Sequence, residues 1–272
     1  MFILFNVKQF IDIIMIYLYM TSYTTIKSTD GFGAQYQKII QTYIFCKLHG
    51  LNFVYTPFHQ IEHNYNNDAQ FIKNKEDIIN LYNNIQRADD NNDNNEIICM
   101  DYHNTVRKWY DYTNAENIET ACNSEHMTFI KKCFWENKDR NVYKNNKKNI
   151  AVHVRRSNPH DQGLAGERIT TPDEYYLNIM KYIRTKYQSS DLLFHIYSQG
   201  NIADFVNYTG EDVVLHIDED IDTSFICMVG ADILVTSPSS LSYVAALISD
   251  GEIYFKPFWH RPRKNWLICR IR

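Results

Sequence analysis

Asn149-Ile150-Ala151-Val152-His153-Val154-Arg155-Arg156 is a short apolar run that ends in charge, and its reading decides the fold. It predicts a β-strand. Downstream, strands and helices alternate. Pro172 to Lys186 predicts a helix, with Thr171 as its N-cap and Pro172 at its first position. Leu192 to Ser198 and Val213 to Ile217 predict strands, with a short helix at Ile202 to Tyr208 between them. A helix at Asp222 to Gly230, a strand at Asp232 to Thr236, a helix at Ser239 to Ile248 and a strand at Glu252 to Phe255 complete the series. Such alternation predicts a Rossmann-like α/β domain.

Toward the N-terminus, the Lys144 to Lys148 run reads as a linker, which divides the chain into domains 1–147 and 148–272. In the first domain, Ile11 to Met20 reads as a buried parallel strand; with Asp12 inside it and no small-residue cleavage site, it does not fit a secretory signal, and it is too short to span a bilayer. Gly31-Phe32-Gly33-Ala34-Gln35 follows, then a helix to Gly50 with Ile39, Ile40, Tyr43, Ile44 and Leu48 on one face, then a strand, Leu51 to Tyr55, ending at Thr56-Pro57. This is a βαβ unit. From Glu62 to Lys148 the pattern weakens, with helices predicted at Asp77 to Gln86 and Ala115 to Lys138. The Asp89 to Asn95 block reads as a solvated loop, since it lacks the glycine and terminal glutamate of a calcium-binding EF-hand.

The 272 residues carry 28 Lys+Arg against 32 Asp+Glu, a net charge of −4, so no global basic field draws the chain to nucleic acid or anionic membranes. Phosphate recognition has to be local. Six cysteines without a CxxC pair suggest neither a zinc ribbon nor a disulfide framework, and read as mostly reduced, buried thiols. Abundant Asn, Tyr, Ile and Lys share AT-rich codons, as in the genomes of some protists and large DNA viruses; this describes the gene, not the fold.

Three features fall at strand ends, where such folds bind ligands. The Gly31 to Gln35 turn permits close backbone approach at a helix start, or serves tight packing alone. His153 and Arg155 share one face of their strand, while Arg156 leaves on the other or turns into the following loop. An arginine there meets a phosphate, or an ion-pair partner among Asp161, Glu167 and Asp232. Thr236-Ser237-Pro238-Ser239-Ser240-Leu241-Ser242 offers hydroxyls and amides for an anion, or ordinary N-capping by Ser239 or Ser240. Elsewhere, Tyr55 to His59 lines an acceptor site or a buried sheet edge, and His59 with His63 lacks a third metal ligand. The aromatic and basic Lys256 to Trp266 segment reads as a packing strap.

In their order and placement, Gly31 to Gln35, His153-Val154-Arg155-Arg156, Phe194 to Ser198 and Ala231 to Ser242 resemble the fucosyltransferase superfamily, which includes α-1,2-, α-1,6- and protein-O-fucosyltransferases. The resemblance covers the second domain and residues 28 to 60 of the first. It implies a GT-B-like α/β enzyme, two Rossmann-like domains with a cleft between them, inverting and independent of metal or other cofactor. Such an enzyme moves fucose or a related deoxysugar from a nucleoside-diphosphate sugar, GDP-linked, to a glycan or protein hydroxyl. The donor would meet Gly31, Gly33, Gln35, His153, Arg155, Arg156, Asp222, Ser239, Ser240 and Ser242, with Arg155 on the diphosphate. Arg155, Asp161 and Glu167 are the catalytic candidates, and His160 is a further base in the same loop.

Two departures stand out. The position of the family's guanine-reading acid falls on Ser224, two residues from Asp222, and Ser157-Asn158 replaces the family's Gly-Asp, with Asp161 beyond. The rival reading is a catalytically inert sugar- or nucleotide-binding module of the same fold. The partners expected are donor and acceptor, without nucleic acid or a membrane anchor, and the location expected is cytoplasmic.

Overall fold

The computed structural model describes residues 21–64, 66–90, 96–156, 171–188 and 191–269. The chain divides into two units, Met1–Glu136 and Asn137–Arg272.

The first unit opens with β1 (Thr21–Thr25), followed by α1 (Phe32–Leu48) and β2 (Asn52–Phe53). The Ile11 to Met20 reading lies outside the described residues. β1 is built from β-branched threonines rather than aliphatics, which is why an apolar-run criterion passes over it. α1 is buried on almost all sides, so Gln37, Gln41 and Thr42 lie inside along with Ile40 and Ile44. The helix stops at His49, and Gly50 turns the chain with φ 68°, a left-handed conformation suited to glycine.

α2 (Ala69–Ile79) starts earlier than the spacing predicted: Asp68 accepts from Gln70 N at 2.8 Å as N-cap, and Asn80 ends the helix in a left-handed conformation. β3 (Glu96–Met100) then pairs with β1, giving a parallel sheet of order β2-β1-β3. A π-helix, Tyr102–Thr113, follows. Its buried positions, Tyr102, Val106, Tyr110 and Asp111, recur more widely than the α-helical period of about 3.6, so an α-helical search misses it. The predicted Ala115 to Lys138 helix is two helices, α3 (Asn117–Cys122) and α4 (Glu125–Trp135), the second capped by Ser124.

The second unit holds β4 (Lys148–His153), α5 (Asp173–Tyr187), β5 (Leu192–Ser198), a 3-10 turn (Ile202–Phe205), β6 (Val213–Ile217), α6 (Ile221–Gly230), β7 (Ile233–Val235), α7 (Ser240–Ile248), β8 (Glu252–Phe255) and β9 (Leu267–Ile268). All pairs are parallel and the order is β6-β5-β4-β7-β8-β9. Numbered within the unit this is 3-2-1-4-5-6, the doubly wound order, compatible with a Rossmann-like fold. Pro172 is the N-cap of α5 rather than its first residue, and β9 is a strand beyond those predicted.

The sheet is covered on both faces. Ile150, Val152, Phe194, Ile196, Ile233, Val235 and Tyr254 pack with Tyr176, Ile179 and Ile183 of α5. Each such side chain stabilises by about 1.5–3 kcal/mol. On the other face Tyr143 stacks on His195 at 4.4 Å and donates to the Cys227 carbonyl of α6 at 2.9 Å. The Lys144 to Lys148 run expected as a linker is thus flanked by a residue docked on this sheet, and the division between units falls ahead of it.

Cys46, Cys122 and Cys133 are buried, Cys227 and Cys269 partly so, and Cys99 is exposed; all six are free thiols. Among the described residues no helix is long and apolar enough to cross a membrane.

Gly251 leads into β8, and a Cβ there would sit 2.4 Å from the Ala231 carbonyl oxygen and 2.8 Å from that of Asp232. Gly251→Ala is expected to lower unfolding free energy by about 1–3 kcal/mol in denaturant titration. An unchanged midpoint would contradict this close approach.

Candidate functional site

The strand order of the second unit reverses between β4 and β7, and the carboxyl ends of these strands form the crevice where doubly wound sheets bind ligands. His153 ends β4. Its Nδ1 shares a 2.8 Å hydrogen bond with Ser237 Oγ, just beyond β7, and both residues are buried. Burial, with the nearby charge of Arg155, pushes the His153 pKa down to about 3, so the imidazole is neutral. Ser242 Oγ accepts from Ser237 N at 3.3 Å and lies against the carbonyls of Ser237 and Ser239. Ser239 caps α7, accepting from Leu241 N. These three contacts shape the loop from within. Ser240, partly exposed at the first position of α7, has no hydrogen-bond partner for its hydroxyl among the described residues.

Arg156 turns to the α5 side, where it forms an ion pair with Asp173 and lies 5.2 Å from the Phe205 ring. Burial raises the Asp173 pKa, but hydrogen bonds from Arg156, Tyr208 and Asn207 outweigh it and hold the carboxyl below its ordinary value. An ion-pair partner was anticipated for an arginine here; it is Asp173, whereas Asp232 accepts from Asn149 N at 2.7 Å. Arg156 is a brace of the edge. Arg155, partly buried, lies just beyond β4, near enough to His153 for its charge to depress the imidazole pKa. Asp222 and Ser224 lie in the first turns of α6, which Asp220 caps. Asp161, Glu167 and His160 lie outside the described residues.

In the first unit Gly31 is the N-cap of α1, and Gly33 sits in its first turn. Gly31 has φ −61°, and an added Cβ would come no nearer than 3.7 Å to Glu62, so neither backbone nor packing demands a glycine there. Gln35 is buried and its amide nitrogen donates to the carbonyls of Asp30 (2.6 Å) and Gln60 (2.7 Å), tying two loops together. Beside it is a small, solvent-open cleft of about 20 Å³ lined by residues including Ser28, Lys38, Thr56 and His59. Lys38 is paired with Asp30. The Tyr55 to His59 segment fits both of its readings: Tyr55 is fully buried and bonds Glu76 at 2.7 Å, while Thr56 to His59 line the cleft. Among the described residues no cluster could hold a metal ion.

A polar chain that sequence reasoning missed crosses β4, β5 and β6. Asn149 Nδ2 donates to the Lys147 carbonyl, which fixes Asn149 Oδ1 as an acceptor for His195 Nε2 at 3.1 Å. Burial, then His216, pushes the His195 pKa down to about 4, leaving this imidazole neutral. Its Nδ1 therefore accepts from His216 Nε2 at 2.9 Å, and His216 Nδ1 lies 2.9 Å from Glu219 Oε2. The available signal was parity, which puts Asn149, His195 and Tyr197 on the His153 face.

No protein-family model matches the chain, and no curated protein matches its sequence.

His153 and His195 have native pKa values below the ordinary value of about 6.5, so on acidification the unfolded chain takes up protons first. Their contribution is full above about pH 6.5 and falls by about 1.4 kcal/mol per pH unit per histidine down to the native values. Denaturation at pH 7.5 and pH 5 is expected to show this loss, with a shallower slope in His153→Gln. Equal slopes in both proteins would contradict a neutral, buried His153.

Proposed function

We propose that this chain is a glycosyltransferase of GT-B type, similar to the fucosyltransferase superfamily, that passes a sugar from a nucleoside-diphosphate donor to a glycan or protein hydroxyl. One observation carries the reading: at the switch point of the doubly wound sheet, a buried His153–Ser237 hydrogen bond joins the arginine-bearing end of β4 to the serine-rich start of α7. Phosphate groups suit that place, because the first amides of a helix point at it and the helix dipole favours negative charge.

Departure of the nucleoside diphosphate builds negative charge on the leaving phosphate. Arg155 and the amides of α7 supply preorganised positive charge for it, with the Ser240 hydroxyl as a further donor. In this reading GDP is the nucleotide, and His153, Ser237 and Ser242 position the loop rather than touch the reacting atoms. Deprotonation of the acceptor falls to a carboxylate or imidazole, with Asp161, Glu167 and His160 the residues to examine.

One observation favours the second reading, a nucleotide- or sugar-binding module without turnover: Arg156, the second arginine of the family motif, is engaged by Asp173. Thermal-shift and calorimetric titration with GDP, UDP and TDP, then donor hydrolysis and transfer to an acceptor library, separates the two. We expect one diphosphate to bind with saturation, Arg155→Ala to weaken it about 10- to 100-fold, and Arg156→Ala chiefly to lower stability, by about 1–2 kcal/mol. Binding without turnover would support the module; binding unchanged in Arg155→Ala would overturn the site.

A further inference from the structure

With Arg156 held by Asp173, a second cation at the same sheet edge draws attention. Lys256 is the first residue beyond β8, the neighbour of β7. Its backbone N donates to Thr236 Oγ1 at 3.0 Å, which pins it beside the segment that leads into Ser237 and α7. Its Nζ lies 4.0 Å from the centre of the Tyr175 ring, in the first turn of α5. Among the described residues no carboxylate lies within ion-pairing distance of it, whereas Lys38, Arg156, Arg184 and Lys186 all have one. An aromatic face holds an ammonium in place without neutralising it. Burial moves the Lys256 pKa below the ordinary value, since desolvation disfavours the charged amine.

The geometry points to Lys256 as a phosphate-binding residue of the donor site, taking the place at the diphosphate that the motif would assign to Arg156. Adjacent strands are about 4.8 Å apart, so β4 and β8 flank β7 within roughly 10 Å. Lys256 reaches the edge from the α5 side, against Tyr175, and Arg155 follows the end of β4, with the start of α7 between their strands. Two cations set across a helix start match two linked phosphates, as Coulomb attraction to each is strongest when the charges are separated along the ligand.

This assignment rests on the nucleotide reading above, and the experiment is chosen to tell the two apart. GDP and guanosine are titrated calorimetrically against the full chain, Lys256→Met, Lys256→Gln and Lys256→Arg. Lys256→Met keeps the aliphatic stem over Tyr175 and removes only the charge, so its melting temperature stays close to that of the parent. Its GDP affinity is expected to fall about 10- to 100-fold. Guanosine affinity is expected to be unchanged, and Lys256→Arg to restore GDP binding to within a few-fold. If Lys256→Met does not fold, Lys256→Gln carries the same expectation. GDP binding as tight in the neutral variants as in the parent overturns the role of Lys256 and leaves the nucleotide site standing. No binding of GDP, UDP or TDP by the parent chain overturns both. An equal loss for guanosine and GDP assigns Lys256 to structure and also overturns the inference.

Discussion

A hydrogen bond between two buried side chains, His153 and Ser237, ties together the two strands between which the order of the second sheet reverses. Without it, each partner would leave a polar atom in a water-free interior, at about 1–3 kcal/mol per unsatisfied group. Ser237 in turn sets the turn that Ser242 closes and Ser239 caps, so the direction in which α7 points its first amides depends on this contact. The imidazole can do this only while neutral, and burial keeps it so. The same residue that lends the site a charged look in sequence is thus an uncharged strut.

Two residues of one short motif serve as supports. His153 and Arg156 are both committed, one to the β7–α7 turn and the other to the start of α5, and they leave the sheet on opposite faces. Arg155 lies between them. Ion pairing of Arg156 with Asp173, reinforced by Tyr208 and Asn207, fixes the first turn of α5 against the strand end and keeps the edge rigid. Under the proposed function a rigid edge would suit a leaving group that gains charge during reaction, since donors already in position need no reorganisation.

Much of this was legible in the residues. Leu192–Ser198, Val213–Ile217 and Glu252–Phe255 are aliphatic and aromatic runs, and their strands lie where the runs do. Opposite faces for His153 and Arg156 follow from the two-residue period of a strand alone. What was not legible has physical causes. β1 is threonine-rich and shows no apolar run, whereas β3 carries a short one, Ile97 to Met100, directly after the polar Asp89 to Asn95 block and at a sheet edge where Glu96, Ile98 and Cys99 are exposed. The π-helix has a period no α-helical template matches. Capping by Asp68 and Ser124 moved helix boundaries that apolar spacing had set elsewhere. In the candidate site, hydroxyls and charges were found in sequence but their duties were not: Gln35 and Ser242 read as ligand contacts and serve as internal ties, because only the fold reveals which carbonyls are in reach.

The central claim is that the carboxyl edge of β4, β7 and β8 holds a nucleoside diphosphate. Hydrogen–deuterium exchange of the full chain, with and without saturating GDP, tests it most directly. The account predicts slowed exchange in peptides covering Arg155 and Arg156, Ser237 to Tyr243 and Lys256, with the amino-edge residues Lys148 to Ile150 and Glu252 unaffected. Saturation with GDP that leaves those carboxyl-edge peptides unprotected would contradict it.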